Sequence, residues 1–127
     1  MRRGGEADKL GNAYEGLWTV YNALDVLRGR AREITVEPLQ NGEGVEFVKV
    51  RNDGSPEFHS VKIQTTKPVW LLSMLTAKDK NTRRSIFGDL VTKLQKDTHT
   101  QCRFVSEVTA NPLRLICEDA ALAADLP

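Results

Sequence analysis

The stretch Val45-Glu46-Phe47-Val48-Lys49-Val50-Arg51, Asn52-Asp53-Gly54-Ser55-Pro56-Glu57, Phe58-His59-Ser60-Val61-Lys62-Ile63-Gln64-Thr65 decides the fold. Two runs rich in Val, Ile and Phe flank a cluster of turn residues, which predicts an antiparallel hairpin with strands over Val45–Arg51 and Phe58–Thr65. Side chains alternate along a strand, so Phe58, Ser60, Lys62 and Gln64 share one face while His59, Val61 and Ile63 take the other. On the preceding strand Val45, Phe47 and Lys49 are separated from Glu46, Val48 and Val50. Both faces are partly apolar, as in a strand covered on two sides.

Two charged residues stand out on this frame. Glu46 shares its face with two valines, and Lys62 is flanked on its own face by the polar Ser60 and Gln64. Antiparallel pairing brings carboxylate and ammonium together in some registers, and the sequence leaves the register open. If they meet, the pair suits metal-assisted phosphodiester hydrolysis. The carboxylate holds Mg²⁺, and the lysine orients the attacking water or stabilises charge building on phosphate. Spacing alone favours the plainer description, a cross-strand ion pair worth about 0.2–1 kcal/mol when exposed.

Working outward, Asp8 to Arg28 contains no proline and carries Leu10, Ala13, Leu17, Val20, Leu24 and Leu27 at helical spacing, with Tyr14 and Tyr21 widening the stripe. This predicts a long amphipathic helix closed at Gly29. Ile34–Glu37, ended by Pro38, reads as a short strand. After Lys67-Pro68 the period changes. A short helix is expected over Val69–Leu75, and Ile86, Phe87, Leu90, Val91 and Leu94 mark a helix from about Arg83 to Lys96. Cys102–Val108 reads as a strand, and Asn111-Pro112 opens a last helix with Asn as cap and Pro in the first turn. The order is α-β-β-β-α-α-β-α, without internal repeats.

A length of 127 residues fits one domain, and 40% hydrophobic with 28% charged residues is a globular composition. Eighteen basic against seventeen acidic residues leave a net charge of +1. That excludes a chain-wide cationic surface, so nucleic-acid contact requires a local patch. Lys78, Lys80, Arg83, Arg84, Lys93 and Lys96 against Asp79 and Asp89 form such a patch. Its loop, with Lys78, Lys80, Arg83 and Arg84, enters a helix N-terminus and is a candidate hold on a DNA backbone. No apolar run is long enough for a membrane span, and no apolar signal core follows Met1-Arg2-Arg3-Gly4-Gly5, so a cytoplasmic protein is expected. Cys102 and Cys117 then read as two free core thiols. His59 and His99 with Cys102 do not reach a four-ligand zinc set. Neither a Cys–His or Ser–His–Asp signature nor a Gly-rich phosphate loop is present. The alanine-rich end, Ala120 to Ala124, suggests continuation into another domain or a partner.

Beyond these readings, several motifs carry a resemblance. They are Gly4-Gly5, Gly11-Asn12-Ala13-Tyr14-Glu15-Gly16-Leu17-Trp18, Ile34-Thr35-Val36-Glu37-Pro38, Gly44-Val45-Glu46-Phe47, His59-Ser60-Val61-Lys62-Ile63-Gln64, Phe104-Val105-Ser106 and the helix from Asn111. In that order they resemble the CD-NTase-associated DNA endonucleases and the N-terminal nuclease domains of antiviral STAND NTPases. These are PD-(D/E)xK domains, and the likeness covers nearly the whole chain. It implies an α/β restriction-endonuclease-like core, α-β-β-β-α-β with a mixed central sheet flanked by helices. It further implies one nuclease domain over residues 1–127 within a larger polypeptide that also carries an NTPase or sensor. The implied activity is Mg²⁺- or Mn²⁺-dependent cleavage of double-stranded DNA in antiphage defence, switched on by homo-oligomerisation.

Carried onto this chain, the resemblance makes Glu46 a metal ligand and Lys62 the strand lysine. Glu15 matches a helical acidic or amide position lining the same cleft, Glu37 is a further possible metal ligand, and Gln64 reaches a phosphate or metal-bound water. One departure matters. Two residues before the lysine the family carries Glu, Asp or Gln, whereas this chain has Ser60, a poorer Mg²⁺ ligand than a carboxylate. The Val61 carbonyl could add a ligand. The alternative is the same fold without catalysis, acting as an oligomerisation or target-docking module. A third reading is a phosphodiesterase acting on RNA or nucleotides, since no base-reading element is recognisable.

Overall fold

The computed structural model describes residues 3–36, 43–64 and 67–124, and of residues 3–11 the backbone alone. Helix α1 (Arg3–Leu27) ends where expected. Arg30 N–H donates to Asp25 O and Gly29 N–H to Val26 O, with Gly29 at φ +73°, the two bonds of a Schellman cap. Strand β1 (Ala31–Val36) follows directly. β2 (Phe47–Arg51) and β3 (Pro56–Val61) form the expected hairpin. Its turn is closed by Gly54 N–H to Arg51 O, with Gly54 at φ +86°, a conformation cheap only without a Cβ.

The chain then runs through α2 (Leu72–Thr76), α3 (Ile86–Lys96), β4 (Gln101–Val105) and α4 (Asn111–Ala124). Ser85 caps α3, its hydroxyl accepting from Gly88 N–H at 2.9 Å. The sheet order is β1-β2-β3-β4, antiparallel at the first two junctions and parallel between β3 and β4. A parallel neighbour needs a crossover, which α2 and α3 supply. The architecture is therefore α/β, a mixed four-stranded sheet flanked by helices. β2 begins at Phe47 rather than Val45, β3 ends at Val61 rather than Thr65, and β4 ends at Val105 rather than Val108. Lys62 N–H still donates to Val105 O, so the ladder runs one residue past β3.

Phe47, His59, Ser60, Val61 and Leu75 are the largest fully buried side chains, and β3 is buried on both faces as the mixed pattern of its neighbour suggests. Helix α1 packs with reversed polarity. A helix beside a sheet ordinarily lays its apolar stripe against it. Here Trp18, Asn22 and Asp25 reach β2 and β3, while Leu17, Val20, Tyr21 and Leu27 stand 73%, 61%, 61% and 83% exposed. The two cysteines are free, but they are not both core thiols. Cys102 is half-buried, with its thiol on Leu90 O, whereas Cys117 is exposed because α4 lies on the surface with none of its residues buried. No helix among the described residues is long and apolar enough to cross a membrane.

The reversal predicts an inverted mutational pattern in urea unfolding. Phe47→Ala should cost about 3–5 kcal/mol, as for a buried aromatic. Leu17→Ala, on the stripe that looks like a core face in sequence, should stay within about 0.5 kcal/mol.

Candidate functional site

The hairpin register settles what alternation leaves open. Phe47 lies opposite His59, which sets Glu46 diagonally across from Lys62. Lys62 Nζ donates to Glu46 Oε1 at 3.0 Å, and Val61 N–H donates to Glu46 Oε2 at 2.5 Å. Glu46 N–H donates in turn to His59 O. The carboxylate is thus pinned at the open end of the hairpin by one ammonium and one backbone amide. Both side chains remain partly open to solvent, Lys62 by about a third.

Ser60 shares the face of Lys62 and sits beside Phe104 of β4. It is wholly buried, and its hydroxyl has no hydrogen-bond partner. A Glu or Gln here would need room that the packed sheet face lacks, a physical reason for serine at this position. Gln64 donates from its side chain to Met74 Sδ on α2 and from its backbone to Glu107 Oε1. Glu15 rides half-buried on α1, one turn before Trp18. Because Trp18 reaches His59, α1 lies on the opposite side of β3 from Ser60 and Lys62. Glu37 falls outside the described residues.

The basic loop meets the segment that leads into β2. Lys78, Arg83, Arg84, Lys93 and Lys96 line a pocket of about 500 Å³ together with Glu43 and Asp89, while Lys80 lies outside its lining. Lys93 is buried, donates to Glu43 O and lies over the Phe58 ring at 5.7 Å. Burial holds its pKa below the ordinary lysine value despite the charges of Glu43 and Asp89. Gly44 packs so tightly on Asp89 that a Cβ there would come within 2.6 Å of its carboxylate. Two residues later the chain reaches Glu46. The pocket and the Glu46–Lys62 pair are joined through this short segment.

One constellation is missed by the sequence reading. On the α1 side of the sheet, Trp18 Nε1–H donates to His59 Nδ1 at 3.0 Å, and His59 Nε2 lies 2.6 Å from Glu57 Oε1. Indole N–H can only donate, so Nδ1 accepts and Nε2 carries the proton. Arg103 Nε adds a contact to Glu57 at 2.9 Å, and Lys49 Nζ binds Asp25 Oδ2 at 2.7 Å and Asn22 Oδ1 at 3.2 Å. The signal was present as Lys49, Glu57 and His59 on one sheet face and Trp18, Asn22 and Asp25 on one helix face. Burial pushes the pKa of His59 down, more than its contact with Glu57 raises it. Burial alone would raise that of Glu57, but the His59 hydrogen bond and the Arg103, His59 and Lys49 charges together bring it below the ordinary value. His59 is thus a packed, neutral histidine, 1% exposed and with both ring nitrogens engaged by Trp18 and Glu57. Trp70 is likewise structural, bonded to Ser106 Oγ at 2.8 Å and edge-on to Phe104.

Among the described residues no group of three or more His, Cys, Asp or Glu side chains could hold an ion. Ser60 Oγ is sealed from solvent, which leaves Glu46 as the carboxylate within the pair. A single carboxylate fits Mg²⁺ only as a site completed by water and substrate phosphate, a coordination this ion commonly adopts. Compared with family models, curated proteins and solved structures, the chain finds no match in any of the three.

The buried histidine makes stability depend on pH. Its pKa is depressed on folding, so the unfolded chain takes up the proton first. Stability is full above the ordinary value of 6.5 and falls as pH drops below it. Glu57, also depressed, adds a loss at lower pH in the same direction. The urea midpoint should therefore decline from pH 7 to pH 5, and His59→Gln should flatten that slope.

Proposed function

We propose that this domain is a Mg²⁺- or Mn²⁺-dependent DNA endonuclease of the restriction-endonuclease-like class, with its site at the Glu46–Lys62 end of the hairpin. The observation that carries the reading is the 3.0 Å contact between a hairpin carboxylate and a partly exposed lysine. The strand order with its parallel last neighbour is the one this class uses, which adds support by analogy only.

In this proposal Lys62 Nζ places its charge where a phosphate oxygen gains negative charge, and it donates to the attacking water. Glu46, held by Val61 N–H, keeps that ammonium in place and supplies the carboxylate for the metal. A divalent ion, when bound there, would supply Lewis-acid polarisation of the phosphate. Lys78, Arg83 and Arg84 would hold the DNA backbone, so recognition is weakly sequence-dependent and salt-sensitive. Cutting both strands calls for two copies. The remaining partners in this reading are an NTPase or sensor module of the same polypeptide.

Ser60 favours a second reading. Its hydroxyl is sealed, and both oxygens of Glu46 are already engaged, which is also the state of a domain that has kept the fold and lost the chemistry.

Supercoiled plasmid incubated with the full chain and Mg²⁺ separates the two. Cleavage should vanish with EDTA and fall at least about 10²-fold in Lys62→Ala and in Glu46→Gln. Absence of cleavage by folded protein in which these variants still support target binding would establish the binding module instead. DNA affinity should fall with salt, and Lys78→Ala or Arg84→Ala should each reduce the slope of log affinity against log salt by about 1. An unchanged slope removes the basic pocket from the interface.

A further inference from the structure

We propose that the outward face of α1 pairs with the same face of a second copy of this chain. Leu10, Leu17 and Leu24 stand seven residues apart, and so do Ala13, Val20 and Leu27. The two series interleave at steps of three and four, the a and d pattern by which two helices pack knobs into holes. A helix that merely lies on a sheet does not need so strict a 3.5-residue period.

In the same frame Trp18 and Asp25 take position b, and Glu15 and Asn22 take position f. These positions turn away from an a/d seam. They are also the side that meets the sheet: Asn22 is buried, Trp18 bonds to His59, and Asp25 bonds to Lys49. The seam therefore points out of the protein. Among the described side chains along it, Ala13, Leu17, Val20 and Leu27 are exposed and Leu24 is half-buried.

A second copy is the occupant this seam fits. An isologous interface needs one surface that complements itself, and a regular a/d seam does so by construction. The flanking positions assist. At g stand the small Gly16 and Ala23, and at e stand Tyr14 and Tyr21, so no like charges oppose each other along the middle of the contact. Tyr21, stacked on Trp18 at 5.5 Å, is held ready to cover a small residue of the partner.

Area sets the strength. The exposed parts of Leu17, Val20, Tyr21 and Leu27 offer on the order of 500 Å² per copy, at the size where an apolar patch marks an interaction site. Complete coverage of these side chains in two copies would bury roughly 1,000 Å² at most, the lower bound for a specific interface. Pairing is therefore weak and set by concentration. It does not rest on the phosphodiester chemistry, because its readout is mass.

Sedimentation velocity on the full chain, from low to high micromolar, tests this. A reversible monomer–dimer equilibrium is expected. Leu17→Glu combined with Leu27→Glu should weaken it at least ten-fold while the far-UV spectrum and urea midpoint of the monomer stay unchanged. Ala13→Leu, which fills a d position, should tighten it several-fold. Leu115→Glu, on the exposed side of α4, should leave it unchanged. A chain monomeric at every concentration overturns the proposal. So does a dimer indifferent to the α1 changes and lost with Leu115→Glu. If the double variant fails to fold, failure of Ala13→Leu to tighten the dimer overturns it equally.

Discussion

Phe47 and His59 face each other across the β2–β3 hairpin with their rings 4.4 Å apart and nearly parallel, and the rest of the sheet takes its places from that register. One residue earlier, Glu46 is carried to the end of the hairpin, within reach of Lys62. Two residues later, Lys49 falls opposite Glu57. A slip of a single residue would turn every side chain to the other face. It would put the Glu46 carboxylate on the α1 side and Lys49 on the α3 side. The buried ring pair therefore acts at a distance: an apolar contact in the core decides which charges can meet at the rim.

The α1 side of the sheet is held together differently from an ordinary helix–sheet contact. Burying Lys49, Glu57 and His59 carries a desolvation cost, and apolar residues of similar size would often stabilise as well or better. Directional bonds add geometry instead. Trp18 reaches His59 Nδ1, and Asp25 reaches Lys49, only at one rotation and one depth of the helix. That rotation decides which stripe of α1 is left outside. Because the polar residues anchor the helix, Leu17, Val20 and Leu27 are left facing outward. The helix end is fixed just as tightly, since Gly29 at positive φ turns the chain directly into β1.

Local rules carried the element order well. The turn after Arg51, the stop at Gly29 and the helix opening near Asn111-Pro112 are each short-range chemistry and stand within a residue of where the sequence places them, with Asn111 inside α4 rather than as its cap and Pro56 already in β3. What local rules cannot supply is the identity of a neighbour. The 3-4 spacing of Leu10 to Leu27 announces a stripe but not what lies against it, so its outward turn is invisible until His59 and Lys49 are known to sit beneath Trp18 and Asp25. Period-two alternation put Glu46 and Lys62 on compatible faces, yet their contact depended on the register. Ser60 reads from sequence as a weakened ligand. In the fold it is sealed against β4, a fact that depends on residues more than forty positions away. Cys117 shares its exposure with its neighbours on α4, and Lys80 lies outside the pocket that Lys78, Arg83 and Arg84 line; neither outcome is written in the local pattern.

The two surfaces of interest lie on opposite sides of the sheet. α3, along whose length the basic pocket lies, packs on the face of Phe58 and Cys102, as the Lys93–Phe58 and Cys102–Leu90 contacts show. α1 packs on the face of His59 and Glu57. Copies joined back to back through α1 would keep both basic pockets open to solvent, so pairing and phosphate contact do not compete for the same residues. The pockets would then point away from each other, which keeps them from gripping opposite strands of one short duplex. If the domain cuts both strands, the second cut must come from a copy arriving over the α3 side, and α1 pairing would gather copies rather than form the cutting unit. Ser60 bears on the same question. A sealed hydroxyl with no partner carries an unmet polar cost in the monomer, on the α3 side of the sheet and in line with Lys62.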